Sequence, residues 1–296
     1  MPLHDLFPKF VRQEIPLSMY TRLQLGGAAE FFAEPENEAE LILLLKNCRE
    51  QKIPIPVRVL GTGSSLLVPE DGVPGVVVSL HKPEFCRMTV EGLRLTAGAG
   101  TPFGQVITES VSQGLGGIEA FVGMPGSFGG AVYGNTGSMH AGDLGQWIES
   151  VRVVDLAGNV STLTKNEITF GYRYSSLDDV VVLSTTLLLE KEDPKELAKR
   201  MRKLWIIRKS QQPAGETASV LAFKDPETGP SASDMIDQVG LKGTRIGGAV
   251  VNERNAGFIT VDPDCISDDV LRLVRLVQEQ VALHADIELV PALEIW

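Results

Sequence analysis

The sequence predicts an α+β fold with mixed sheets. The chain has 296 residues, a length that corresponds to about two domains. Hydrophobic residues make up 43% of it and charged residues 22%, a balance typical of a soluble globular protein. Segments with helical spacing and segments with strand alternation follow one another irregularly, without the regular β-α-β order of a parallel α/β protein.

The predicted elements of the N-terminal half begin after the turn at Pro35. Apolar residues over 36–51 recur at helical spacing and predict an amphipathic helix. Thr101 and Pro102 form a favourable N-cap and first turn for a second helix, which ends at Ser112. The predicted strands of this half are 57–60, 76–80, 87–90 and 93–97.

In the C-terminal half, helix-start signals are clear at three places. Pro194 suits a first helical turn, Ser231 with Asp234 forms a shortened capping box, and Ser267 is a favourable N-cap. The predicted helices are 193–208, 231–240 and a segment after residue 267 with apolar residues from 270 to 281. The predicted strands are 148–154, 180–188 and 287–296.

The composition excludes several classes of function. The chain has 27 basic and 38 acidic residues and a net charge of −11, so no basic surplus is available for a nucleic-acid partner. Cys48, Cys86 and Cys265 are scattered, and neither they nor the four histidines have metal-ligand spacing; no metal and a reducing compartment are expected. The N-terminus lacks a signal-peptide core, and apolar runs are too short for a membrane span. A cytoplasmic protein without a membrane partner is expected.

The stretch from Gly116 to Gly145 holds 10 of the chain's 30 glycines. Glycine loses more entropy on ordering than other residues, so such a run indicates close approach of the backbone to something. A flexible linker is the alternative, but linkers lack apolar anchors such as Phe121 and Phe128. Within the run, Pro125 fixes one dihedral while its glycine neighbours allow positive φ. The stretch therefore predicts a cofactor cradle.

Other segments are candidates for parts of a site. GTGSSL (61–66) follows a predicted strand and can turn several N–H groups toward one point, as in a phosphate-binding nest, or form an ordinary loop. GAGTPFG (98–104) misses the dinucleotide fingerprint spacing by one residue. In FGYRYS, Arg173 stands between two tyrosines, where it can bind a carboxylate or make a surface cation–π contact. Lys242 can steer a diphosphate or simply be solvated.

Taken together, these segments closely resemble one family, the flavoenzyme UDP-N-acetylenolpyruvoylglucosamine reductases (UDP-N-acetylmuramate dehydrogenases, MurB). The matching segments are TRLQLGGAAEFF, VLGTGSSLLVPEDGVPGVVV, AGAGTPF, GLGGIEAFVGMPGSFGGAVYGNTG, FGYRYSS, FKDP and DMIDQVGLKGTRIGGAVVNERNAGF. They occur in the family's order, and the combination of GxGSS/N-L with G-[IM]-PG-x-x-GGA-x-x-x-N is highly specific. The length and the absence of an insertion before the third domain are similar to the family's shorter subtype.

The resemblance implies an FAD-binding pair of subdomains of the vanillyl-alcohol-oxidase (PCMH) type and a C-terminal α+β substrate-binding domain. The expected boundaries are 1–80, 81–192 and 193–296, with the alternative that the last strand returns to the first subdomain. FAD would be bound non-covalently, NADPH would donate electrons, an anionic UDP-sugar would be the substrate, and the protein would be a monomer. The residues expected at FAD are Gly61, Thr62, Gly63, Ser64, Ser65, Leu66, Gly117, Gly123, Met124, Pro125, Gly126, Ser127, Gly129, Gly130, Asn135 and Gly137. Those expected at the substrate are Tyr172, Lys224, Asp225, Lys242 and Gly243.

The implied reaction belongs to peptidoglycan precursor synthesis, and so to cell wall biogenesis and cell shape. NADPH reduces FAD, and the flavin passes hydride from N5 to the enolpyruvyl methylene carbon. The neighbouring carbon becomes enolate-like and must be protonated, which needs a cation, an acid and a proton donor. Family members use an arginine, a glutamate, and a serine or cysteine respectively. The arginine corresponds to Arg173.

The other two family positions differ in this chain. Counting back from Phe223 in the family's donor motif places Leu221 at the donor position, and Ser219 lies two residues earlier. The C-terminal Pro-Glu-Val pattern reads Pro291-Ala292-Leu293 here, and Glu294 follows two residues after the expected glutamate. If the donor segment is a strand, Ser219 and Leu221 face the same side, about 7 Å apart. A bulge could re-aim Ser219 into the site.

Two hypotheses follow from these two departures from the family pattern. The first is an FAD-dependent reductase that uses Arg173, with Ser219 or a water as the proton donor and Glu294 as the candidate acid. The second is a flavin-binding paralogue that has lost or changed the reaction, because loss of a proton donor costs about 10²- to 10⁴-fold in rate. An FAD oxidase of the same broad fold is disfavoured, since its large substrate domain needs a longer chain.

Overall fold

The structure of the chain is a computed structural model, which describes residues 3–138, 142–213, 218–226 and 228–296. Two compact units are distinguished. The first consists of Met1–Gln13, Glu30–Thr62 and Pro74–Ile206, and the second of Glu14–Ala29, Gly63–Val73 and Ile207–Trp296. The predicted boundaries at residues 80 and 192 both lie within the first unit, so its subdivision stays a prediction.

Helices and strands alternate irregularly, as the sequence predicts. The helices are α1 Leu3–Leu6, α2 Glu38–Glu50, α3 Phe103–Ser112, α4 Phe128–Tyr133, α5 Pro194–Gln211, α6 Ala232–Gln238 and α7 Ser267–Ala285. Short 3-10 turns occur at Leu17–Met19, Pro83–Cys86, Glu119–Phe121, Leu144–Gln146 and Lys165–Glu167. The strands are β1 Val11–Pro16, β2 Ala28–Ala33, β3 Val57–Leu60, β4 Leu66–Leu67, β5 Val73–Ser79, β6 Met88–Glu91, β7 Arg94–Gly98, β8 Leu115–Gly116, β9 Gly137–Ser138, β10 Gly142–Asp143, β11 Ile148–Asp155, β12 Val160–Thr164, β13 Phe170–Gly171, β14 Tyr174–Ser175, β15 Val180–Leu188, β16 Glu190–Lys191, β17 Ser219–Leu221, β18 Arg245–Ile246, β19 Ala249–Val251, β20 Phe258–Val261 and β21 Glu294–Ile295.

The largest sheet of the first unit has the strand order β12-β11-β15-β7-β6, with every neighbouring pair antiparallel. Its long central strands alternate β-branched and small polar residues, which suits a half-buried strand. A second sheet has the order β1-β2-β5-β3, in which β3 and β5 are parallel. Helix α3 buries Phe103, Val106 and Ile107 completely in the core of this unit. The sheets and α3 thus provide a rigid support for the glycine-rich loops between them.

The second unit is built around the antiparallel sheet β17-β20-β19-β18 and helices α6 and α7. Helix α7 buries the apolar face that the sequence predicts, with Leu273, Val277 and Val281 fully inaccessible to solvent. This helical spacing places them on one face. Strand β21 pairs in parallel with β4, next to the GTGSSL segment. No helix within the described ranges is long and apolar enough to span a membrane.

Two predicted caps are wrong by one residue. Pro102, with an extended ψ of 127°, is the N-cap of α3, and the carbonyl of Thr101 instead accepts from Phe128 N at 2.7 Å. Ser267 is the first residue of α7 rather than its N-cap. Its N–H and hydroxyl both donate to the carboxylate of Glu70, which therefore satisfies the start of this helix. The capping box of Ser231 with Asp234 is confirmed.

The predicted C-terminal strand over 287–296 is also wrong as a continuous element. Only Glu294–Ile295 forms a strand, and Pro291 makes an isolated bridge to Phe223. Proline has no N–H to donate to a ladder. The segment therefore pairs first with the chain beyond β17 and then with β4.

Candidate active site

Two of the predicted cofactor segments meet directly in the first unit. Gly61 follows β3, and a Cβ at this position would lie 2.5 Å from Ser127 Oγ. Real Cβ atoms do not approach oxygen so closely, so a glycine is required for this contact. Ser127 is the N-cap of α4, and its Oγ accepts from Gly130 N at 3.3 Å. The GTGSSL and GMPGSFGG segments therefore belong to one arrangement.

The start of α4 packs tightly against the GAGTPFG segment. A Cβ at Gly129 would lie 2.7 Å from the Cβ of Ala99, and Gly129 N donates to Ala99 O at 2.8 Å. Phe128 N donates to Thr101 O. The N–H groups of residues 128, 129 and 130 are thus all bonded within the protein. These glycines allow close packing of the chain against itself and do not supply free donors for a phosphate.

The GTGSSL segment, in contrast, presents N–H groups that other described residues do not use. Gly61, Thr62 and Ser65 are exposed, and among the described residues no acceptor is found for the backbone N–H groups of 61–65. Gly63 has φ +59°, and a Cβ there would lie 2.3 Å from the carbonyl oxygen of Tyr20. Successive N–H groups in such a turn can bind an anion. The segment therefore fits the diphosphate of FAD.

The turn around Pro125 has the backbone path that the sequence predicts. Gly123 and Gly126, which flank Met124 and Pro125, have φ values of +79° and +138°. Met124 N donates to Phe121 O, and Gly126 O accepts from Phe103 N. Hydrogen bonds thus attach the turn at one end to the 3-10 turn Glu119–Phe121 and at the other end to the first residue of α3.

Gly117 is held by a charged network that the sequence does not reveal. Its φ is +128°, and a Cβ would lie 2.8 Å from the ring of Trp147. Gly117 N donates to one carboxylate oxygen of Glu119 at 2.7 Å, and Arg200 Nε donates to the other at 2.7 Å. Arg200 also makes two hydrogen bonds to Glu192. Helix α5 is therefore connected through these charges to the glycine-rich stretch.

Asn135 and Gly137 lie where α4 ends. Asn135 is 1% exposed and has φ +39°. Its side-chain nitrogen donates to Gly171 O at 2.7 Å, and its side-chain oxygen accepts from Gly145 N at 2.8 Å. A Cβ at Gly137 would lie 2.0 Å from Asp143 Oδ1. The side chain of Asn135, predicted as a cofactor neighbour, thus bonds to protein groups, and the space that a side chain at Gly137 would need is taken by Asp143.

Arg173 lies at the tip of the two-strand hairpin β13–β14. It is half-buried between the exposed Tyr172 and Tyr174 and has φ +54°. For a residue other than glycine this conformation costs about 1–3 kcal/mol, and such strain is concentrated at functional sites. Burial raises the pKa of the Asp143 carboxyl, and the positive charge of Arg173 acts on it in the opposite direction. Arg173 is therefore a cation held in an imposed conformation next to an acidic group.

Ser219 lies in the second unit on β17 and is 2% exposed. Its carbonyl accepts from Arg22 Nε at 2.8 Å. Ser219 pairs with Thr260 and Leu221 with Phe258, and the three pairs of β17 with β20 show no register shift. Ser219 and Leu221 therefore share one face of the strand, as predicted, and the considered bulge is not present in these pairs.

The C-terminal chain passes beside the continuation of β17. Pro291 is bridged to Phe223, and Ala292 N donates to Ala222 O at 2.8 Å. Two residues further on, Glu294 N donates to Ser65 O at 2.9 Å. The exposed carboxylate of Glu294 accepts from Trp296 Nε1 at 3.0 Å. The structure thus places Glu294 next to the GTGSSL segment.

The predicted substrate residues of the second unit lie on separate loops. Lys224 N donates to Val290 O, and Asp225 Oδ1 accepts from Ala232 N at the start of α6. Lys242 Nζ lies 2.5 Å from the carboxylate of Asp237. Gly243 follows with φ +72°. The charge of Lys242 is therefore already paired within the protein.

Comparisons with known proteins identify the family to which the chain belongs. Residues 29–164 match the model of an FAD-binding domain, and residues 212–296 match the C-terminal domain of UDP-N-acetylenolpyruvoylglucosamine reductase. The UDP-N-acetylenolpyruvoylglucosamine reductase of Rhodopirellula baltica is 37% identical over 99% of this chain and 96% of its own length. The protein of the same name from Lactococcus lactis subsp. cremoris is 36% identical over 98% and 95%.

The chain belongs to the UDP-N-acetylenolpyruvoylglucosamine reductase (MurB) family. The crystal structure of the family member from Thermus caldophilus has a TM-score of 0.83 and 35% identity, and covers 97% of this chain and 100% of that one. The predicted family and the α+β fold class with an FAD-binding part are confirmed. The individual site residues stay predictions.

At both departures from the family pattern, a residue of the expected type lies two positions away in the sequence. Phe223 and Pro291 fix an antiparallel register, so the chain runs oppositely on the two sides of this bridge. Ser219 lies two residues before Leu221, and Glu294 lies two residues after Ala292. At this bridge the two sequence offsets therefore have the same direction along the segments. The antiparallel pairing does not extend to the offset residues, because Ser219 pairs with Thr260 of β20 and Glu294 N donates to Ser65 O.

Proposed function

We propose that this chain is an FAD-dependent reductase that converts UDP-N-acetylenolpyruvoylglucosamine to UDP-N-acetylmuramate. The observation that carries this proposal is the 34–37% identity to reductases of that name over 98% or more of the chain. The left-handed conformation of Arg173 at the hairpin tip supports it, because such strain is concentrated at functional sites. The reaction places the protein in peptidoglycan precursor synthesis, with consequences for cell wall and cell shape.

In this proposal, NADPH is the second substrate of the reductase. FAD, when bound, accepts hydride from NADPH and delivers it to the enolpyruvyl carbon. The GTGSSL segment supplies its N–H groups to the diphosphate, and residues of the stretch from Gly117 to Gly130 contact the cofactor. A non-covalent cofactor fits this arrangement, since the segment offers hydrogen-bond donors rather than a reactive side chain. The proposal includes a cytoplasmic monomer with a UDP-sugar as its anionic ligand, and neither nucleic acid nor membrane as a partner.

Arg173, Ser219 and Glu294 have distinct roles in the proposal. The guanidinium of Arg173 stabilises the negative charge that develops on the substrate carboxylate and enolate oxygen. Ser219 donates the proton to the adjacent carbon, and Glu294 supplies the acid beside the enolate. Tyr172, Lys224, Asp225, Lys242 and Gly243 would contact the UDP-sugar.

A half-reaction experiment tests the proposal. The purified protein is saturated with FAD, reduced anaerobically with NADPH, and mixed with UDP-N-acetylenolpyruvoylglucosamine while flavin absorbance is recorded. Reoxidation at a rate that supports turnover is expected. Ser219→Ala should slow this second step by about 10²- to 10⁴-fold and leave reduction by NADPH unchanged. Ser112→Ala, an exposed serine on α3 that bonds only to Glu109 O, is the matched control.

Two outcomes would overturn parts of the proposal. A flavin that stays reduced in the presence of the substrate excludes the reductase activity and favours a paralogue with another reaction. A Ser219→Ala variant with normal reoxidation removes Ser219 from the proton-donor role. A parallel variant, Leu221→Ser, then tests whether the donor acts from the family's usual position.

A further inference from the structure

The Arg173 hairpin does not support itself. Strands β13 and β14 form two residue pairs, Phe170 with Ser175 and Gly171 with Tyr174, and at their open end Ser176 N donates to Thr169 O and Thr169 N to Ser176 Oγ. Isolated two-stranded hairpins are marginal in water even when they are longer. Arg173 at the tip also has a left-handed φ of +54°, which persists only where the surroundings impose it. Contacts from outside the hairpin must therefore hold it.

Asn135 provides the central external contact. Its side-chain nitrogen donates to Gly171 O at 2.7 Å, and its side-chain oxygen accepts from Gly145 N at 2.8 Å. We call this three-group arrangement of Gly145 N–H, the Asn135 amide and Gly171 C=O the Asn135 clamp. It joins the end of α4 to the first hairpin strand.

The surroundings of the clamp are closely packed. A Cβ at Gly145 would lie 3.0 Å from the Asn135 oxygen and 2.8 Å from the ring of Phe170. The side chain of Asn135 is 1% exposed. An asparagine amide has two donors and one acceptor oxygen, and here both atoms are directed at backbone groups. The observed geometry uses this side chain to place the hairpin, not to contact a ligand.

A separate contact holds the second hairpin strand. The hydroxyl of Ser175 donates to Tyr133 O at 2.6 Å. Ser175 is 2% exposed, and Tyr133 is the last residue of α4. The two strands of the hairpin are therefore attached to Asn135, just beyond the end of α4, and to Tyr133, the last residue of that helix, whose start packs against the predicted flavin segments.

We propose that Asn135 is a positioning residue for Arg173: the clamp imposes the hairpin conformation that directs the guanidinium to the substrate. The catalytic part of this inference depends on the proposed function, and the structural part does not. Asn135 acts through Gly171, two residues before Arg173, and it couples the placement of the cation to the glycine-rich cofactor cradle. A loss of the clamp should therefore impair the step that needs Arg173 and spare the step that needs only FAD and NADPH.

Two variants test the clamp. Asn135→Asp keeps the size and the acceptor for Gly145 N but removes the donor to Gly171 O. Ser175→Ala removes the second contact without adding a charge. Asn47→Asp is the matched control, because this asparagine on α2 also donates to a backbone carbonyl, that of Leu43, and lies far along the chain from the hairpin.

The first measurement does not depend on activity. In the FAD-bound protein, amide hydrogen exchange of the peptide over 170–175 should become about tenfold faster or more in Asn135→Asp and in Ser175→Ala, as local opening becomes easier. The control should show the wild-type rate. Unchanged exchange in both variants would refute the clamp whatever the protein's reaction is.

The second measurement tests the positioning role. Asn135→Asp should slow flavin reoxidation by the enolpyruvyl substrate by about 10- to 100-fold, as expected for a small displacement of a catalytic group. Reduction by NADPH, FAD affinity and the visible flavin spectrum should not change. In an Arg173→Ala background the same substitution should have no further effect, because coupled residues are not additive.

The outcomes separate the two proposals. An equal effect of Asn135→Asp with and without Arg173, or an altered flavin spectrum, would overturn the positioning role and favour direct cofactor contact. If the wild-type protein does not reoxidise with the substrate, the proposed function fails, while faster exchange in the variants would still support the clamp.

Discussion

Replacement of Arg200 by methionine tests the charged network behind Gly117. Arg200 Nε and the Gly117 N–H donate to the two oxygens of Glu119, whose side chain is 7% exposed. Hydrogen bonds to Glu192 and Glu119 raise the pKa of the Arg200 guanidinium, so it is charged throughout the accessible pH range. Methionine keeps much of the length of the side chain and removes the charge and all donors. The variant therefore leaves a nearly buried carboxylate with only its backbone partner.

The expected loss of stability follows from exposure and charge. A hydrogen bond to a charged group contributes about 1.5–3 kcal/mol. The Arg200 side chain is 43% exposed, so solvent screening lowers its contribution. We expect the free energy of unfolding to fall by about 1–2 kcal/mol, which corresponds to a Tm lower by about 2–8 °C. If the same free energy is lost from the cofactor cradle, the Kd for FAD rises by up to about 30-fold.

Thermal unfolding and FAD titration measure these two effects. Arg94→Met is the matched control, because Arg94 also makes a two-bond ion pair, with Glu149 at 2.6 and 2.7 Å. That pair lies on the exposed face of the large sheet, and its removal should change neither Tm nor FAD affinity measurably. Equal behaviour of the two variants would refute the special role assigned to the buried carboxylate of Glu119.

Two further predictions concern close packing and thiol reactivity. Gly129→Ala should lower the free energy of unfolding by about 1–3 kcal/mol and weaken FAD binding, because its Cβ would lie 2.7 Å from that of Ala99. Urea unfolding and FAD titration measure these two effects. The control is Gly104→Ala, whose Cβ would meet no atom within 4 Å and which should be neutral or stabilising. Burial raises the pKa of Cys48 and Cys265 to about 11, so a thiolate-specific reagent at pH 8 should label the half-exposed Cys86 first, and only higher pH or unfolding should expose the other two. Mass spectrometry of the labelled native protein identifies the site, and early labelling of Cys48 would contradict the buried environment.

The elements predicted with correct bounds are those whose pattern depends on their own residues. The strands 57–60 and 180–188 are rich in β-branched residues, and both are observed with these bounds. The start of α7 and the C-terminal strand depend on distant partners. Glu70 is 197 residues before Ser267, Pro291 forms an isolated bridge to Phe223, and Glu294 pairs with β4. Local sequence does not contain this information.

The glycine-rich stretch illustrates the same limit at the site. Glycine patterns predict close approach of the backbone but do not name what it approaches. At Gly129 and Gly117 the neighbours are Ala99 and Trp147 of the same chain. The GTGSSL segment combines close approach with N–H groups for which no acceptor is found among the described residues, and the N–H groups of Gly123 and Gly126 likewise have no acceptor there. The structure therefore divides the predicted cofactor residues into those that shape the cradle and those with donors available to a ligand.

The register at the C-terminus changes how the departures from the family should be interpreted. Two independent losses, of a proton donor at position 221 and of a carboxylate at position 292, would indicate a protein that has abandoned the reaction. The bridge between Phe223 and Pro291 makes the segments antiparallel, so Ser219 and Glu294 lie on the same side of the lost positions. The two offsets have the same direction at this bridge, although Ser219 pairs with β20 and Glu294 with β4. The two departures are therefore weaker grounds for a lost reaction than two unrelated losses, and flavin reoxidation in Ser219→Ala is the measurement that decides whether this serine serves as the donor.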